Sequence, residues 1–127
     1  MFSRLRRRLR EVATADELTP SQTAVLIRLV KDGPSSTSQL AGAERVRPQS
    51  MAATLAGLDR HGLIARTPDP EDGRRQLIAL TAPGRRHAEH DRKVREEWLV
   101  RAMQDRYTEQ ERRVINDALA LLSRITD

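Results

Sequence analysis

Residues 46–81 limit what this chain can fold into more than any other stretch of its sequence. They read VRPQSMAATLAGLDRHGLIARTPDPEDGRRQLIALT. A helical pattern begins at Pro48, which suits a first helical position because its φ is preset and no N–H is needed there. The pattern ends at Gly62, which readily takes the left-handed conformation that terminates a helix. Two apolar runs follow on either side of a charged segment, so the predicted order is helix, strand, hairpin, strand.

The helical segment has one apolar face. Met51, Leu55 and Leu58 repeat at i, i+4 and i+7, which predicts a buried stripe. Arg47 precedes the proline as the expected N-cap, although Ser, Thr, Asp and Asn are the residues that cap well. The other faces carry smaller or polar residues that would allow a close approach to a groove, namely Gln49, Ala52, Ala53, Ala56 and Arg60.

The hairpin predicted after this helix is charged at its tip. Its strands are expected at residues 63–67 and 77–81, joined by a turn rich in Pro, Asp and Gly. Arg74 and Arg75 follow the tip, where a cation could reach a phosphate or a minor groove, and nearby aspartates could pair with them. An ordinary solvated hairpin has a similar composition. The position directly after the helix favours a basic wing beside a DNA-reading helix.

Two further helices are predicted before this stretch. Thr19 and Pro20 form the cap and first position of a helix that runs to about Lys31. Ser36 and Gln39 have capping-box spacing, which predicts the start of the next helix. The short gap between that helix and the following one is typical of a helix-turn-helix. The core face of the first of these helices is expected to consist of Val25, Leu26, Leu29 and Val30.

Both ends of the chain are amphipathic. Residues 1–15 place five arginines in the first ten positions of a helical pattern that breaks at residues 16–20. A long helix is predicted from residue 83 to about Arg106, and the sequence T-E-Q-E at residues 108–111 caps a last helix. The apolar stripe of that last helix is Val114, Ile115, Ala118, Leu119, Leu122 and Ile125. These faces would be exposed on a monomer, which predicts a homodimer.

Composition narrows the class of partner. The 127 residues suit one domain, and 23 Lys+Arg against 18 Asp+Glu give a net charge of +5, which suggests an anionic partner. Nearly all the cations are arginine, which binds phosphate and guanine bidentately. The chain has no cysteine, which excludes disulfides, thiolate metal sites and a cysteine nucleophile. The basic N-terminus lacks the continuous apolar core typical of a signal peptide, and no apolar run approaches about 20 residues, so a cytoplasmic location is expected.

Several segments together resemble the MarR family of bacterial transcriptional regulators. Residues 18–22 (L-T-P-S-Q) are similar to the L-T-x-x-Q that leads into a helix of that family, and residues 47–50 (R-P-Q-S) resemble the start of its recognition helix. Residues 58–64 (L-D-R-H-G-L-I) resemble its L-E-x-x-G-L-V. Residues 69–74 (D-P-E-D-G-R) and 80–84 (L-T-A-P-G) resemble its wing motif D-P-x-D-x-R…L-T-x-x-G.

The resemblance implies a fold and a function. The fold would be mainly α with a small β-wing, a single MarR-like domain over residues 1–127. Residues 16–85 would form the winged helix-turn-helix, and residues 1–15 and 86–127 the dimerisation helices. The function would be that of a sequence-specific DNA-binding transcriptional regulator. It would be a ligand-responsive repressor that binds a pseudo-palindromic operator as a homodimer, needs no cofactor, and takes an effector in the cleft between wing domain and dimer helices.

The resemblance also implies site residues. Arg74 would enter the minor groove, held by Asp72, and Ser38 would contact phosphate at the start of a helix. Thr54 would lie beside the major-groove face or in the interior. Gly73 stands where the family often has another arginine, for which Arg75 could compensate, and a basic residue is frequent at the position of Ala53. The full expected set is Ser38, Arg47, Pro48, Gln49, Ser50, Ala53, Thr54, Asp72, Gly73, Arg74 and Arg75.

Alternative interpretations remain for some of these features. His87 and His90 have a spacing compatible with a metal, although paired histidines are common on exposed helix faces. Trp98 could line the effector cleft or pack in a core. No phosphate-cradling glycine loop or nucleophile elbow is present, so an enzyme is not expected. A winged helix that binds another protein without reading DNA is the alternative, favoured by the missing cations at Ala53 and Gly73. The arginine-rich N-terminus and the paired wing arginines argue against that alternative. A basic N-terminal helix could also lie on a membrane, but its apolar face is narrow, which favours packing against another helix.

Overall fold

The fold follows from a computed structural model, which describes residues 1–13 and 18–127. The described chain contains six helices and one two-stranded antiparallel sheet. Their bounds are α1 Phe2–Ala13, α2 Pro20–Asp32, α3 Thr37–Glu44, α4 Pro48–Arg60, β1 Ile64–Pro68, β2 Gln76–Leu80, α5 Ala82–Arg106 and α6 Glu109–Ser123. The prediction of a mainly α fold with a small β-wing is therefore confirmed. The predicted break at residues 16–20 falls largely outside the described residues.

Side-chain caps fix where α2 and α3 begin. The Thr19 hydroxyl accepts a hydrogen bond from the Gln22 N–H at 3.2 Å, and the Gln22 amide oxygen accepts one from the Thr19 N–H at 2.9 Å. Ser36 and Gln39 exchange the same two bonds at 3.1 and 2.8 Å. These bonds satisfy N–H groups that a helix start otherwise leaves without a partner. Both predicted helix starts are confirmed, and Gly33 ends α2 at φ 76°.

The prediction that Val30 belongs to the core is wrong. Val30 is 57% exposed, whereas Val25, Leu26 and Leu29 on the same helix are buried. Each residue turns an α-helix by about 100°. Val30 therefore lies at the edge of the stripe that the other three define, and it borders a surface cavity instead.

The core lies among α2, α3, α4 and the sheet. Leu40 comes from α3, and Leu55 and Leu58 come from α4, so the predicted inward face of α4 is confirmed. Ile78 supplies the contribution of β2. Full burial of such a side chain contributes about 1.5–3 kcal/mol relative to exposure. This core holds α4 in a fixed orientation.

The wing is tied to the helices at its base. β1 and β2 pair from Ile64 opposite Leu80 to Pro68 opposite Gln76. Ser35 adds an isolated bridge to Ile78, with N–H to carbonyl bonds of 3.0 and 2.8 Å in both directions. The sequence predicted the strands at 63–67 and 77–81, one residue off at each of their ends. Leu63 is not in the strand because its N–H binds the Leu58 carbonyl at the end of α4, at 3.1 Å.

The described chain divides into two compact units, Met1–Arg95 and Glu96–Asp127. In the second unit, Thr108 and Glu111 form the predicted capping box of α6, with bonds of 2.9 and 3.2 Å. No residue of α6 is buried. None of the helices in the described residues is long and apolar enough to cross a membrane.

Candidate nucleic-acid interface

Helix α4 presents a polar face opposite its buried stripe. Pro48 occupies the first helical position and Arg47 the N-cap, which makes no side-chain capping bond. Gln49, Ser50 and Ala53 are exposed, whereas Met51, Leu55 and Leu58 face the core. The surface of α4 thus offers an amide, a hydroxyl and a small side chain, a combination that can approach base edges closely.

Thr54 lies at the boundary of this face. Its side chain is half-buried, and its hydroxyl donates to the Ser50 carbonyl at 3.1 Å. Both residues border a cavity of about 240 Å³ that also touches Arg10 of α1 and Glu44 of α3. The hydroxyl of Thr54 therefore has a partner within its own helix.

Close packing fixes how α4 sits against α2. Gly57 is buried in α4, and a Cβ built there would collide with the amide of the Gln22 side chain. Gln22 is itself held by the capping box with Thr19. The absence of a side chain at Gly57 therefore allows the close approach of the two helices.

The tip of the wing is ordered by its aspartates. The Asp72 carboxylate accepts from the Arg74 N–H at 3.1 Å, and the Asp72 carbonyl accepts from the Arg75 N–H at 3.0 Å. Asp69 accepts from the Glu71 N–H at 2.9 Å, and its own N–H binds the Arg75 carbonyl at 2.9 Å. Asp side chains commonly order turns by such bonds to backbone groups two residues on.

The two wing arginines differ in their surroundings. The Nε atom of Arg75 lies 3.9 Å from the Asp69 carboxylate. The Arg74 guanidinium has no ion pair or hydrogen bond within the described part of the chain. Asp72 therefore orders the backbone of Arg74 without pairing with its guanidinium. Because no other described residue pairs with that charge, Arg74 is the cation most available to an anion at this tip.

A groove brings the wing arginines close to the start of α3. It has a volume of about 680 Å³ and is lined by Ser36, Thr37, Ser38, Gln39, Arg74, Arg75 and Gln76. Ser38 thus shares one surface with Arg74 and Arg75. The first N–H groups of a helix and adjacent guanidinium groups both attract phosphate. Sequence reasoning did not predict that Thr37, Gln39 and Gln76 line this groove. The capping-box pattern at residues 36–39 is the signal that indicates the start of α3 there.

An ion pair joins the wing to helix α4. Arg66 of β1 donates from Nε and Nη2 to the Asp59 carboxylate of α4, at 3.2 and 2.9 Å. The pair is half-exposed, so its net contribution to stability is small, on the order of 0–1 kcal/mol. Its role is to position the strand against the end of α4. Sequence reasoning missed this pair because the partners lie on different elements.

Comparison with known proteins identifies the family. The family model of MarR matches residues 18–75. An HTH-type transcriptional regulator of Mycobacterium tuberculosis is 32% identical over 124 residues, which cover 98% of this chain and 86% of the relative. The chain belongs to the MarR family of transcriptional regulators. Membership implies that the chain binds DNA.

Solved structures of MarR-type regulators agree with this assignment. A transcriptional regulator protein of Pseudomonas aeruginosa is 40% identical, with a TM-score of 0.83 over 98% of this chain and 86% of that one. A MarR family protein of Bacillus stearothermophilus shares the fold with a TM-score of 0.78 at 23% identity, over 98% and 86% of the two chains.

The MarR fold of this chain also carries a cavity beside α2 and the first half of α5. Its volume is about 520 Å³. Ile27, Val30 and Ala88 provide apolar surface, and cations and one carboxylate surround them. The charged lining residues are Lys31, Arg85, Arg86, Glu89, Arg92 and Arg95. Trp98, which was expected either to line an effector cleft or to pack in a core, is half-buried and does not line this cavity.

The two histidines of α5 occupy different environments. His87 Nδ1 lies 3.3 Å from a carboxylate oxygen of the buried Asp91. His90 is exposed. The described residues contain no group of three or more His, Cys, Asp or Glu side chains placed to hold a metal ion. His87 is therefore close to Asp91, and within the described residues it does not form a metal site with His90.

Proposed function

We propose that this MarR-family regulator binds a pseudo-palindromic operator as a homodimer and represses transcription until an effector releases it. The observation that carries the proposal is the shared groove between the start of α3 and the wing. It joins Ser38 to Arg74 and Arg75, and Arg74 has no partner within the described residues. A surface of this kind suits the phosphate backbone of a duplex.

The proposed docking places α4 in the major groove. That groove, about 12 Å wide, admits an α-helix. Arg47, Pro48, Gln49 and Ser50 would meet it first because they begin α4, and Ala53 would permit close approach. The wing would then lie along the adjacent minor groove, with Arg74 inserted. A narrow minor groove attracts arginine because of its enhanced negative potential.

The homodimer is supported by the surface of α6. In α6 and the residues that follow it, five large apolar side chains are about half exposed or more, namely Val114, Leu119, Leu121, Leu122 and Ile125. In α1, Phe2 and Leu5 are also exposed. Apolar surface of this extent favours burial against a second chain. Two-fold related recognition helices would read half-sites about 10–10.5 base pairs apart.

The effector response is supported by the cavity beside α2 and α5. Its apolar centre and surplus of cations suit an amphipathic organic anion. Such a ligand would release the operator only if it binds the non-binding conformation more tightly. It would act by shifting the spacing of the two α4 helices, since that spacing must match the half-sites.

Binding to the DNA upstream of the regulator's own gene tests the proposal. The wild-type protein and the Arg74→Ala variant are titrated with that duplex at two salt concentrations and excess competitor DNA. We expect a discrete wild-type complex that weakens with salt, and a loss of about tenfold or more in the variant. Arg75→Ala is the matched control, with a smaller expected loss because Arg75 already lies beside Asp69.

The contrary outcome favours a different function. Equal binding to every duplex, with no effect of Arg74→Ala, would contradict operator recognition. It would instead support a winged helix that binds another protein, a function favoured by the absence of a cation at Ala53 and Gly73. A pull-down of protein partners would then be the next experiment.

A further inference from the structure

The turn between α3 and α4 contains an arginine in an unfavourable conformation. Arg45 has φ 56° and ψ 45°, the left-handed region. Its N–H binds the Gly42 carbonyl at 3.2 Å, and the Val46 N–H binds the Ala41 carbonyl at 3.0 Å. These two bonds form a Schellman motif, whose left-handed position is usually glycine.

The chain uses glycine at its other left-handed positions. Gly33 and Gly62 have φ values of 76° and 70°, and each follows a helix. Arg45 is the only residue other than glycine with positive φ in the described ranges 1–13 and 18–127. A side chain with a Cβ is disfavoured in this conformation, so glycine would stabilise the turn better than arginine does.

Within residues 1–13 and 18–127, the side chain of Arg45 makes no polar contact that offsets this conformation. It is exposed and makes no ion pair or hydrogen bond with any described residue. The acidic neighbour Glu44 is occupied, because Arg28 lies 3.4 Å from its carboxylate. Arg28 also lies 3.6 Å from Asp32. Among the residues that the structure describes, Arg45 is therefore a surface cation without a partner.

A second arginine of this turn, Arg47, also occupies a position that is unfavourable for the stability of the fold. Arg47 is the N-cap of α4 and makes no capping bond. Three other helices of the chain begin with complete capping boxes, at Thr19, Ser36 and Thr108. Cations near a helix start also oppose the helix dipole. Functional surfaces often contain several residues whose type does not suit the local backbone conformation or cap position.

We infer that Arg45 is a phosphate-binding residue of the DNA interface. Arg45 lies two residues before the cap of α4, so it would stand at the rim of the major groove that α4 enters. There it would contact the backbone on the groove wall, which positions the helix without reading bases. The inference rests on the proposed function, since it assumes that α4 enters DNA.

The variant Arg45→Gly separates binding from stability. Glycine removes the cation and relieves the left-handed conformation. We expect the midpoint of thermal unfolding to stay the same or rise, while affinity for the upstream duplex falls about tenfold. The loss should be similar on a scrambled duplex because a phosphate contact carries no sequence information. The log–log salt slope should fall by about 0.9 per protomer.

Two further variants assign the cause of the loss. Arg45→Lys keeps the positive charge and should retain most of the affinity and the salt slope. Arg45→Ala removes the charge and keeps the Cβ in the left-handed region, so it should lose affinity without the gain in thermal stability. Together with Arg45→Gly, these variants distinguish charge from backbone conformation.

Three outcomes would overturn the inference. If wild type binds the duplex and Arg74→Ala weakens it, but Arg45→Gly keeps full affinity and salt slope, the proposed function stands and the role of Arg45 fails. A lowered unfolding midpoint in Arg45→Gly would show that the arginine supports the fold instead. Absence of wild-type binding to any duplex would overturn both proposals together.

Discussion

The unit Met1–Arg95 and the unit Glu96–Asp127 differ in what their apolar residues contact. In the first, α2, α3, α4 and β2 contribute side chains that are almost fully buried, including Leu40 and Ile78. In the second, α6 buries no residue, and Val114 is 64% exposed. The winged helix contains its own core, whereas α6 fully buries none of its apolar residues.

Both regions nevertheless follow the same sequence rule. Apolar residues recur at helical spacing in α4 and in α6, and each helix therefore has an apolar face. Most helical stability in proteins comes from packing such a face. A periodic apolar stripe therefore predicts that a helix face will be covered, but it does not predict whether the same chain or another one covers it.

The largest effect is expected from the core of the first unit. Leu55→Ala removes a fully buried side chain of α4, and we expect the free energy of unfolding to fall by about 2–5 kcal/mol. Chemical denaturation measures this change. Val46→Ala is the control, because Val46 is half-exposed and its truncation should cost less than about 1 kcal/mol. Equal losses for the two variants would contradict the location of the core.

A charge on the apolar face of α6 tests the second unit. Leu119→Glu should abolish the dimer at micromolar concentration, since a carboxylate would be buried in the proposed interface. Operator affinity should fall about 100-fold or more because the two half-sites are no longer bound together. Sedimentation equilibrium and the DNA titration measure the two effects.

Ala120→Glu is the matched control for that variant. Ala120 is also exposed in α6 but points away from the stripe that contains Ile115 and Leu119. Its oligomeric state and DNA affinity should match wild type. A dimer that survives Leu119→Glu would mean that another surface joins the two chains.

Two glycines of the first unit should respond with opposite signs. A Cβ at Gly84 would overlap the Leu63 carbonyl oxygen, so Gly84→Ala should destabilise the protein by about 1–3 kcal/mol. Gly42 has no atom near its absent Cβ and lies within α3, so Gly42→Ala should stabilise by about 0.5–1 kcal/mol. Thermal unfolding of both variants checks the prediction, and stabilisation by Gly84→Ala would refute the close contact between α5 and the wing.

The smallest effect is expected at the wing tip. Gly73 does not have positive φ, and open space surrounds it, so an arginine fits without strain. Gly73→Arg should raise operator affinity about threefold at moderate salt by adding one phosphate contact. Gly73→Ala, which adds no charge, should leave affinity unchanged. Equal affinity for the Arg and Ala variants would place the tip away from DNA.

Local patterns predicted much of this fold. The stripe of α4 needed only helical spacing, and the caps at Thr19 and Ser36 needed only bonds within one turn. Contacts between distant elements were not predictable in this way. The pair of Arg66 with Asp59 and the bridge from Ser35 to Ile78 depend on the tertiary fold.

The features that the sequence did not predict correctly have physical causes. Val30 is apolar and adjoins the stripe of α2, which favours the core, but the turn of the helix places it at the edge of that stripe. The left-handed conformation of Arg45 could not be predicted from residue type, because glycine is the residue usually found in that position. Two interpretations stay predictions. One is the division of residues 16–85 from the dimerisation helices, and the other is the set of DNA contacts made by the site residues.

Hydroxyl-radical footprinting of the protein on its upstream DNA tests whether α4 and the wing bind an operator as proposed. We expect two protected half-sites about 10–10.5 base pairs apart, each flanked by a protected minor groove. Arg74→Ala, assayed at a concentration that restores occupancy, should lose the flanking protection and keep the central pattern. Protection with no fixed register, or a footprint identical in the variant, would contradict a reading helix and an inserted wing.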